Sequence, residues 1–292
     1  MNFKEKIAHY GWELAYGTVP SDIASKENIL KEMHEVKNPY KSKWFADPFI
    51  LDITDEYIEL LVEEFDDSVR RGRIARIRID RQSDIITECK IVLDLKTHLS
   101  FPVIYRVNGI IYVHPENSAS GSSYIYKYDK TSDMLVEAEL MLDEPVTDAI
   151  IKKIGNKYYM FATRLPEPNG DTMYIYRSDT FIGGYKECRT IKYNDSHARM
   201  GGDFIISNGK NYRISQDCNG AYGKGLIIEL FGLDTEEFSG KTVKEIYMSF
   251  FSKYEGVHTY NTHNGLFIVD LKKYDYPLMH KLVTCIKRII KR

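Results

Sequence analysis

The sequence predicts an all-β protein, a five-bladed β-propeller, and three observations carry that expectation. The first is an anchor that recurs about every fifty residues. Asp47-Pro48-Phe49-Ile50 follows Trp44-Phe45-Ala46, Phe101-Pro102-Val103-Ile104 follows His98-Leu99-Ser100, and Asp148-Ala149-Ile150-Ile151 follows Pro145-Val146-Thr147. Asp203-Phe204-Ile205-Ile206 follows Gly201-Gly202, and Gly256-Val257-His258-Thr259 precedes Asn261. Each places a polar residue at the mouth of an apolar run, as at the start of a buried inner strand, where Pro is tolerated. The second is turn chemistry: Asn108-Gly109, Gly155-Asn156, Asn208-Gly209 and Asn264-Gly265 each stand between apolar runs, a hairpin signature. The third is composition. With 22 Tyr among 292 residues the chain suits pleated, half-buried surfaces, and no helical pattern alternates with the strands as a parallel α/β fold requires.

Taken in order, Gly11–Gly17 alternates and is expected to complete the last blade, because a propeller closes by pairing a terminal strand with an exposed edge. Ser21 to Val36 reads as a short N-terminal helix covering one end, with Ile23, Ile29, Leu30 and Met33 near helical spacing. Blade one then spans Asp47 to Leu95, blade two Phe101 to Leu142, blade three Asp148 to Lys192 and blade four Asp203 to Phe251. Blade five offers His258–Asn261 and Gly265–Leu271 before the strands run out. Residues 1–275 are thus one propeller, and 276–292 a basic amphipathic C-terminal helix. Leu278, Met279, Leu282, Val283, Ile286, Ile289 and Ile290 share a face of it, and Lys281, Lys287, Arg288, Lys291 and Arg292 lie on or near the other. No acidic residue follows Asp275. Such a helix suits a membrane surface bearing anionic lipid, or else docks on the propeller with a basic end.

Composition excludes several classes. A net charge of −2 provides no global basic field, so nucleic acid is not an expected partner. Cys89, Cys188, Cys218 and Cys285 lack metal-ligand spacing and read as reduced thiols of a cytoplasmic protein, peripheral at most to the inner face of the membrane. No P-loop, GxGxxG or HExxH occurs. Gly220-Ala221-Tyr222-Gly223-Lys224-Gly225 precedes a strand and reads as a flexible hairpin loop.

In a propeller the mouths of the inner strands converge on a central funnel. The expected lining is Asp47, His98, Asp148, Arg199, Asp203 and His258, with Glu63 or Glu64, Glu116, Arg164, Arg213 and Asp217 from second-strand ends. Paired carboxylates across a funnel suit glycoside chemistry. Arginine and histidine suit an anionic group, since guanidinium grips phosphate or carboxylate through a bidentate fork. Both together favour a phosphorylated or nucleotide-linked sugar.

The order of Trp44-Phe45-Ala46-Asp47-Pro48-Phe49, Val62-Glu63-Glu64-Phe65, His98-Leu99-Ser100-Phe101-Pro102, Pro115-Glu116, Gly201-Gly202, Tyr212-Arg213-Ile214-Ser215-Gln216-Asp217 and His258-Thr259-Tyr260-Asn261 resembles a known family. It is the N-terminal domain of plant glucosamine inositolphosphorylceramide transferases and the stand-alone microbial proteins similar to it. The resemblance implies a five-bladed propeller related to furanosidase-type glycoside hydrolases, in a setting of glycan assembly. In the clan resembling family 43 it implies Asp47 as general base, Asp148 as the residue tuning pKa and orientation, and His258 as a partner of a central cation. The general acid of that clan is a Glu opening blade four, where this chain reads Met200-Gly201-Gly202-Asp203. Either Asp203 or Glu116 takes that role, or hydrolysis is not the activity.

The expectation is therefore a sugar-active enzyme of surface-glycan or glycolipid assembly, a glycosyl or related group transferase. Asp47 is the base, Asp148 and Asp203 complete the catalytic set, and Arg199 and Arg213 hold an anionic leaving group. The rivals are a glycoside hydrolase or phosphorylase using Asp47 and Asp148, and a catalytically silent glycan-binding propeller.

Overall fold

The computed structural model describes residues 9–25, 29–30, 32–233, 238–248 and 252–290. The strands are β1 (Tyr10–Thr18) and β2 (His34–Glu35), followed by four sets of four. Blade one is β3 (Lys43–Ile53), β4 (Tyr57–Asp66), β5 (Gly72–Asp80) and β6 (Ile85–Leu93). Blade two is β7 (Ser100–Val107), β8 (Ile110–Glu116), β9 (Ser123–Asp129) and β10 (Met134–Leu142). Blade three is β11 (Val146–Ile154), β12 (Lys157–Arg164), β13 (Thr172–Ser178) and β14 (Lys186–Lys192). Blade four is β15 (Ile205–Ser207), β16 (Lys210–Asp217), β17 (Gly225–Phe231) and β18 (Gly240–Tyr247). The expected extension of its outer strand through 249–251 lies outside the described residues. Blade five is sewn from both ends of the chain, in the order β19 (Gly256–His263), β20 (Leu266–Tyr274), β1, β2.

The closing strand behaves as its pattern predicts: β1 pairs antiparallel with β20 from Tyr10↔Tyr274 to Thr18↔Leu266. Pairing removes the open edge that an incomplete fifth blade would present. Apolar faces of neighbouring blades fill the wedges between them. Leu14, Tyr16 and Ile268 of blade five meet Phe45, Ile58 and Leu60 of blade one, and Phe161 and Met173 of blade three meet Phe204 and Phe231 of blade four. Asn108, Asn208 and Asn264 adopt φ of 51°, 51° and 44°, and the glycine after each is also left-handed. Two successive positive φ values make the turn whose twist matches a hairpin, and Asn-Gly tolerates them best.

The N-terminal helix is a correction. The described residues between Ser21 and Val36 form turns and the two-residue strand β2, with 26–28 and 31 outside the described residues. Ile23, Ile29 and Leu30 are buried against blades four and five, so their apolar spacing serves an irregular segment pressed into a wedge. The C-terminal helix is present as α1 (Pro277–Ile290). Side chains at 284, 285 and 287–290, and all of Lys291 and Arg292, lie outside what is described. No helix among the described residues is long and apolar enough to cross a membrane.

Candidate active site

One local device aims the site. In β3, β7, β11 and β19 the register slips just inside the mouth, between Ala46 and Phe49, Ser100 and Val103, Thr147 and Ile150, and Val257 and Tyr260. Each slip is a β-bulge, which turns side chains away from the regular alternation. Asp47, Phe101 and Asp148 open their bulges at φ of 50°, 45° and 47°. Left-handed backbone costs roughly 1–2 kcal/mol for such residues, and hydrogen bonds around the mouths offset it. The Asp47 amide donates to Asp270 Oδ2 at 2.9 Å, and the Phe101 amide to Asp47 Oδ2 at 3.2 Å.

The bulges bring Asp47, Asp148 and His258 together as expected, and add residues the sequence did not single out. Asp270, fully buried on β20, accepts the amides of Asp47, His258 and Thr259. Its Oδ1 lies 2.7 Å from His258 Nδ1, and His258 Nε2 lies 3.4 Å from Asp47 Oδ1. His258 is thus held between two carboxylates, stacked on Trp12 at 3.8 Å and edged by Tyr222. Asp47 Oδ1 is buried with no hydrogen-bond partner. Burial, together with the negative charge of Asp148, Asp270 and Glu63, raises the Asp47 pKa well above the usual range against the pull of Arg199. Burial works the same way on Asp270, but His258 and the hydrogen bonds to it outweigh that and hold its pKa low.

Arg199 is committed to the funnel. It holds Asp148 through two bonds, Nε to Oδ2 at 2.6 Å and Nη2 to Oδ1 at 3.2 Å, and reaches Asn169 Oδ1 at 2.7 Å. Gln216 Nε2 adds a bond to Asp148 Oδ2 at 2.7 Å, and Tyr222 offers its ring to the guanidinium. The loop expected to be only a flexible hairpin connection therefore delivers Tyr222 to the site. On the opposite wall Glu63 is buried with Oε1 unpartnered, 3.3 Å from His98 Nε2. The Gly72 amide donates to His98 Nδ1 at 2.9 Å, which leaves the proton on Nε2. Burial, then the charges of Glu116, Asp270 and Asp148, raise the Glu63 pKa strongly. Glu116 completes this wall, taking bonds from the Ser100 hydroxyl and the Ser118 amide.

Five expected residues stand elsewhere. Glu64 opposes Phe45 while Glu63 opposes Ala46, so the strand sends the two carboxylates to opposite faces. Glu64 pairs with Lys43 at 2.7 Å and Arg73 at 2.9 Å, away from the funnel. Asp203 binds Lys152 Nζ at 2.8 Å, half-exposed, and does not join the Asp47 cluster. Arg164 pairs with Glu144 and Glu187 over the Tyr174 ring. Asp217 closes its own loop through Asn219, Lys224 and Tyr247. Arg213 is sealed from solvent, paired with Glu229 directly opposite on β17 and bonded to Tyr193, His197 and Ala198. It cannot grip a ligand, because each donor it offers is already engaged around the 193–200 segment.

The segment that opens blade four, where no Glu stands, is sterically closed at Gly202. A Cβ on Gly202 would stand 2.2 Å from the Tyr260 carbonyl oxygen, and φ there is 152°. Blade four enters so close to β19 that no side chain fits at the position. The central cation implied by the resemblance does fit. Asp47, His258 and Asp270 each offer a ligand atom within 4.8 Å of the others, and the unpartnered Asp47 Oδ1 beside His258 Nε2 is spaced as two ligands of one ion are. Asp270 would then orient the imidazole, as a carboxylate behind a metal-bound histidine does.

The fold is a five-bladed propeller, shared with family-43 glycoside hydrolases, and its funnel holds a buried acidic constellation. The chain resembles a family-43 β-1,3-galactosidase with a TM-score of 0.57 at 10% identity, covering 83% of this chain and 59% of that one. A thermostable family-43 glycoside hydrolase gives 0.55 at 12% identity, covering 73% and 82%. Residues 26–276 match the family described as "Glucosamine inositolphosphorylceramide transferase 1, N-terminal", and the chain belongs to it. It is 27% identical over 238 residues to glucosamine inositolphosphorylceramide transferase 1 of Oryza sativa subsp. japonica, covering 75% of this chain and 32% of the relative. The Arabidopsis thaliana protein of the same name is 26% identical over 205 residues, covering 68% and 27%. The chain thus spans about a third of the length of these relatives.

Proposed function

We propose that this protein is a carbohydrate-active enzyme of glycolipid or surface-glycan assembly, transferring a glycosyl group from a phosphorylated or nucleotide-linked sugar to a hydroxyl acceptor. The observation that carries the proposal is the buried, unpartnered Oδ1 of Asp47 at the funnel. A carboxylate left without a donor and with a raised pKa is poised to take the acceptor proton near neutral pH. The family's name supports the glycolipid setting.

Arg199 holds Asp148 in place through two bonds and supplies the positive charge for a departing phosphate, while neutral His98 offers its Nε2 proton as a hydrogen-bond donor. Arg213 drops out of that role. Glu63 is the acid best placed to protonate an oxygen on the wall facing Arg199. If a cation were held by Asp47 and His258, with Asp270 orienting the imidazole, it would supply charge that offsets the carboxylates and would polarise a substrate oxygen. Tyr222, which is half-buried beside Arg199, offers ring area for a sugar face, while Trp12 is buried beneath His258 and supports it.

Hydrolysis of a neutral glycan is the second reading, favoured by the surplus of carboxylates over Arg199. Calorimetry and turnover with a nucleotide sugar and with a neutral oligosaccharide separate the two. Asp47→Asn keeps ligand affinity and lowers turnover by about 10²–10⁴-fold. Arg199→Lys weakens the nucleotide sugar and spares the neutral ligand, because the fork geometry is lost. Binding of the neutral oligosaccharide alone defeats the transferase reading. Binding without Asp47-dependent turnover of any donor leaves a glycan-binding propeller.

A further inference from the structure

Four apolar side chains of α1, those of Leu278, Met279, Leu282 and Ile286, are turned away from the propeller. A surface helix of a globular protein places its apolar stripe on the core and its polar side outward. Here the contacts are reversed. The side chains holding the helix to blade five are polar: His280 Nδ1 lies 2.9 Å from Glu255 Oε2, its ring stacks on Tyr274 at 3.6 Å, and Lys281 Nζ donates to the Ser252 carbonyl at 2.9 Å. Leu278 is 82% exposed, Leu282 62% and Ile286 46%, with Met279 beside them. Residues four apart line one side of a helix, so these form a continuous apolar stripe facing solvent.

We propose that α1 is a docking element for an anionic lipid surface, its Leu278–Leu282–Ile286 stripe sinking between head groups. Charge complementarity selects this occupant. Residues 276–292 carry Lys281, Lys287, Arg288, Lys291 and Arg292 and no Asp or Glu, so the segment that bears the stripe has the net positive charge that acidic head groups attract. A second copy of the chain on the same stripe would bring the two sets of cations together and is disfavoured. The attachment has a direction as well. Gly256, at the mouth end of β19, pairs with Lys272 near the end of β20, so α1 leaves blade five at the funnel end. Docking therefore holds the funnel mouth beside the head groups and the Asn-Gly hairpins away from them. This inference is read without turnover and stands apart from the proposed reaction.

The test is cosedimentation of the full chain with phosphatidylcholine vesicles, with and without phosphatidylglycerol, at low and high salt. The wild type pellets with the anionic vesicles at low salt and is released by salt. Leu278→Glu/Leu282→Glu, at exposed positions that leave the melting temperature unchanged, lowers binding at least about tenfold, and Lys287→Glu/Arg288→Glu does the same while keeping the stripe. On bound protein, hydrogen exchange slows in α1 and stays unchanged at Asn108-Gly109 and Asn208-Gly209. Equal pelleting of the Leu278→Glu/Leu282→Glu protein, or indifference to the acidic lipid, overturns the proposal. So does a wild-type dimer that this double variant converts to monomer without any vesicle binding, since the stripe then serves self-association. Exchange slowed at the hairpins and not in α1 overturns the direction of attachment.

Discussion

Two buried clusters of charge lie close together in this propeller and have opposite characters. In blade four Arg213 and Glu229 face each other across β16 and β17, and Tyr193, the His197 and Ala198 carbonyls and Met200 take up the remaining guanidinium donors. At the junction of blades five and one, four carboxylates, those of Asp47, Glu63, Asp148 and Asp270, share Arg199 and two histidines, and Asp47 Oδ1 and Glu63 Oε1 make no hydrogen bond, their nearest imidazole nitrogens standing 3.4 and 3.3 Å away. The first cluster is saturated and holds a segment of backbone in place. The second keeps unsatisfied acceptors in a dry place, a cost that a fold bears where something else will bind. Burial by itself does not separate them, since Arg213 and Asp270 are equally inaccessible. The count of partners does.

The contrast can be broken most sharply at Arg213. Arg213→Met leaves Glu229 as an uncompensated buried charge and should lower unfolding free energy by about 3–5 kcal/mol. Adding Glu229→Gln should recover most of that. Chemical denaturation measures both, and a loss below about 1 kcal/mol would show that the cluster is not structural.

A smaller effect, with a defined sign, comes from pH. Asp47 and Glu63 have pKa values raised from their ordinary 3.8 and 4.5. The folded state therefore holds their protons more tightly than the unfolded chain. The stability they add is complete below those ordinary values and is lost as pH rises through the raised ones. Glu229 is the reverse: burial pushes it up, but Arg213 and His197 outweigh that and hold it below 4.5. Its contribution is present above that value and lost as pH falls through the lowered one. Melting temperatures across pH should fall less steeply on the alkaline side in Asp47→Asn/Glu63→Gln, with the acid side unchanged. An unaltered alkaline limb would contradict the account of the funnel. The smallest effect belongs to the pair outside both clusters. Asp203→Asn removes a half-exposed partner of Lys152, which should cost under about 1 kcal/mol and leave turnover intact, whereas a large loss of turnover would return Asp203 to the catalytic set.

How much of this was readable in the sequence follows from what each signal depends on. Blade spacing, Asn-Gly turns and the closing strand rest on local patterns, and those patterns survive folding unchanged. Asp47, Asp148 and His258 were readable because each sits at a strand mouth, and all mouths converge. Glu63 and Glu64 are adjacent, and only the register Ala46↔Glu63 decides which one enters the funnel. Arg213 has the sequence signature of a funnel arginine, and only the pairing of β16 with β17 sets Glu229 opposite it. Asp270 carried a usable signal: a lone carboxylate inside the apolar run Phe267-Ile268-Val269-Asp270-Leu271 must have partners to be buried. Ile23, Ile29 and Leu30 misled because helical spacing and irregular burial look alike over a short stretch.

The seam in blade five has a consequence for how the protein is made. Trp12, on the first strand, forms the stack beneath His258, and Asp270, on the last, orders the amides of both Asp47 and His258. On the ribosome β1 emerges long before β20, and the edge it will present to β20 waits for a partner some 250 residues behind it. Until β20 arrives the ring is open and the acidic cluster has neither its floor nor its wall. Nascent or truncated chains therefore carry Asp47 and Asp148 without the constellation that surrounds them in the closed ring, and the funnel is assembled only with completion of the circle.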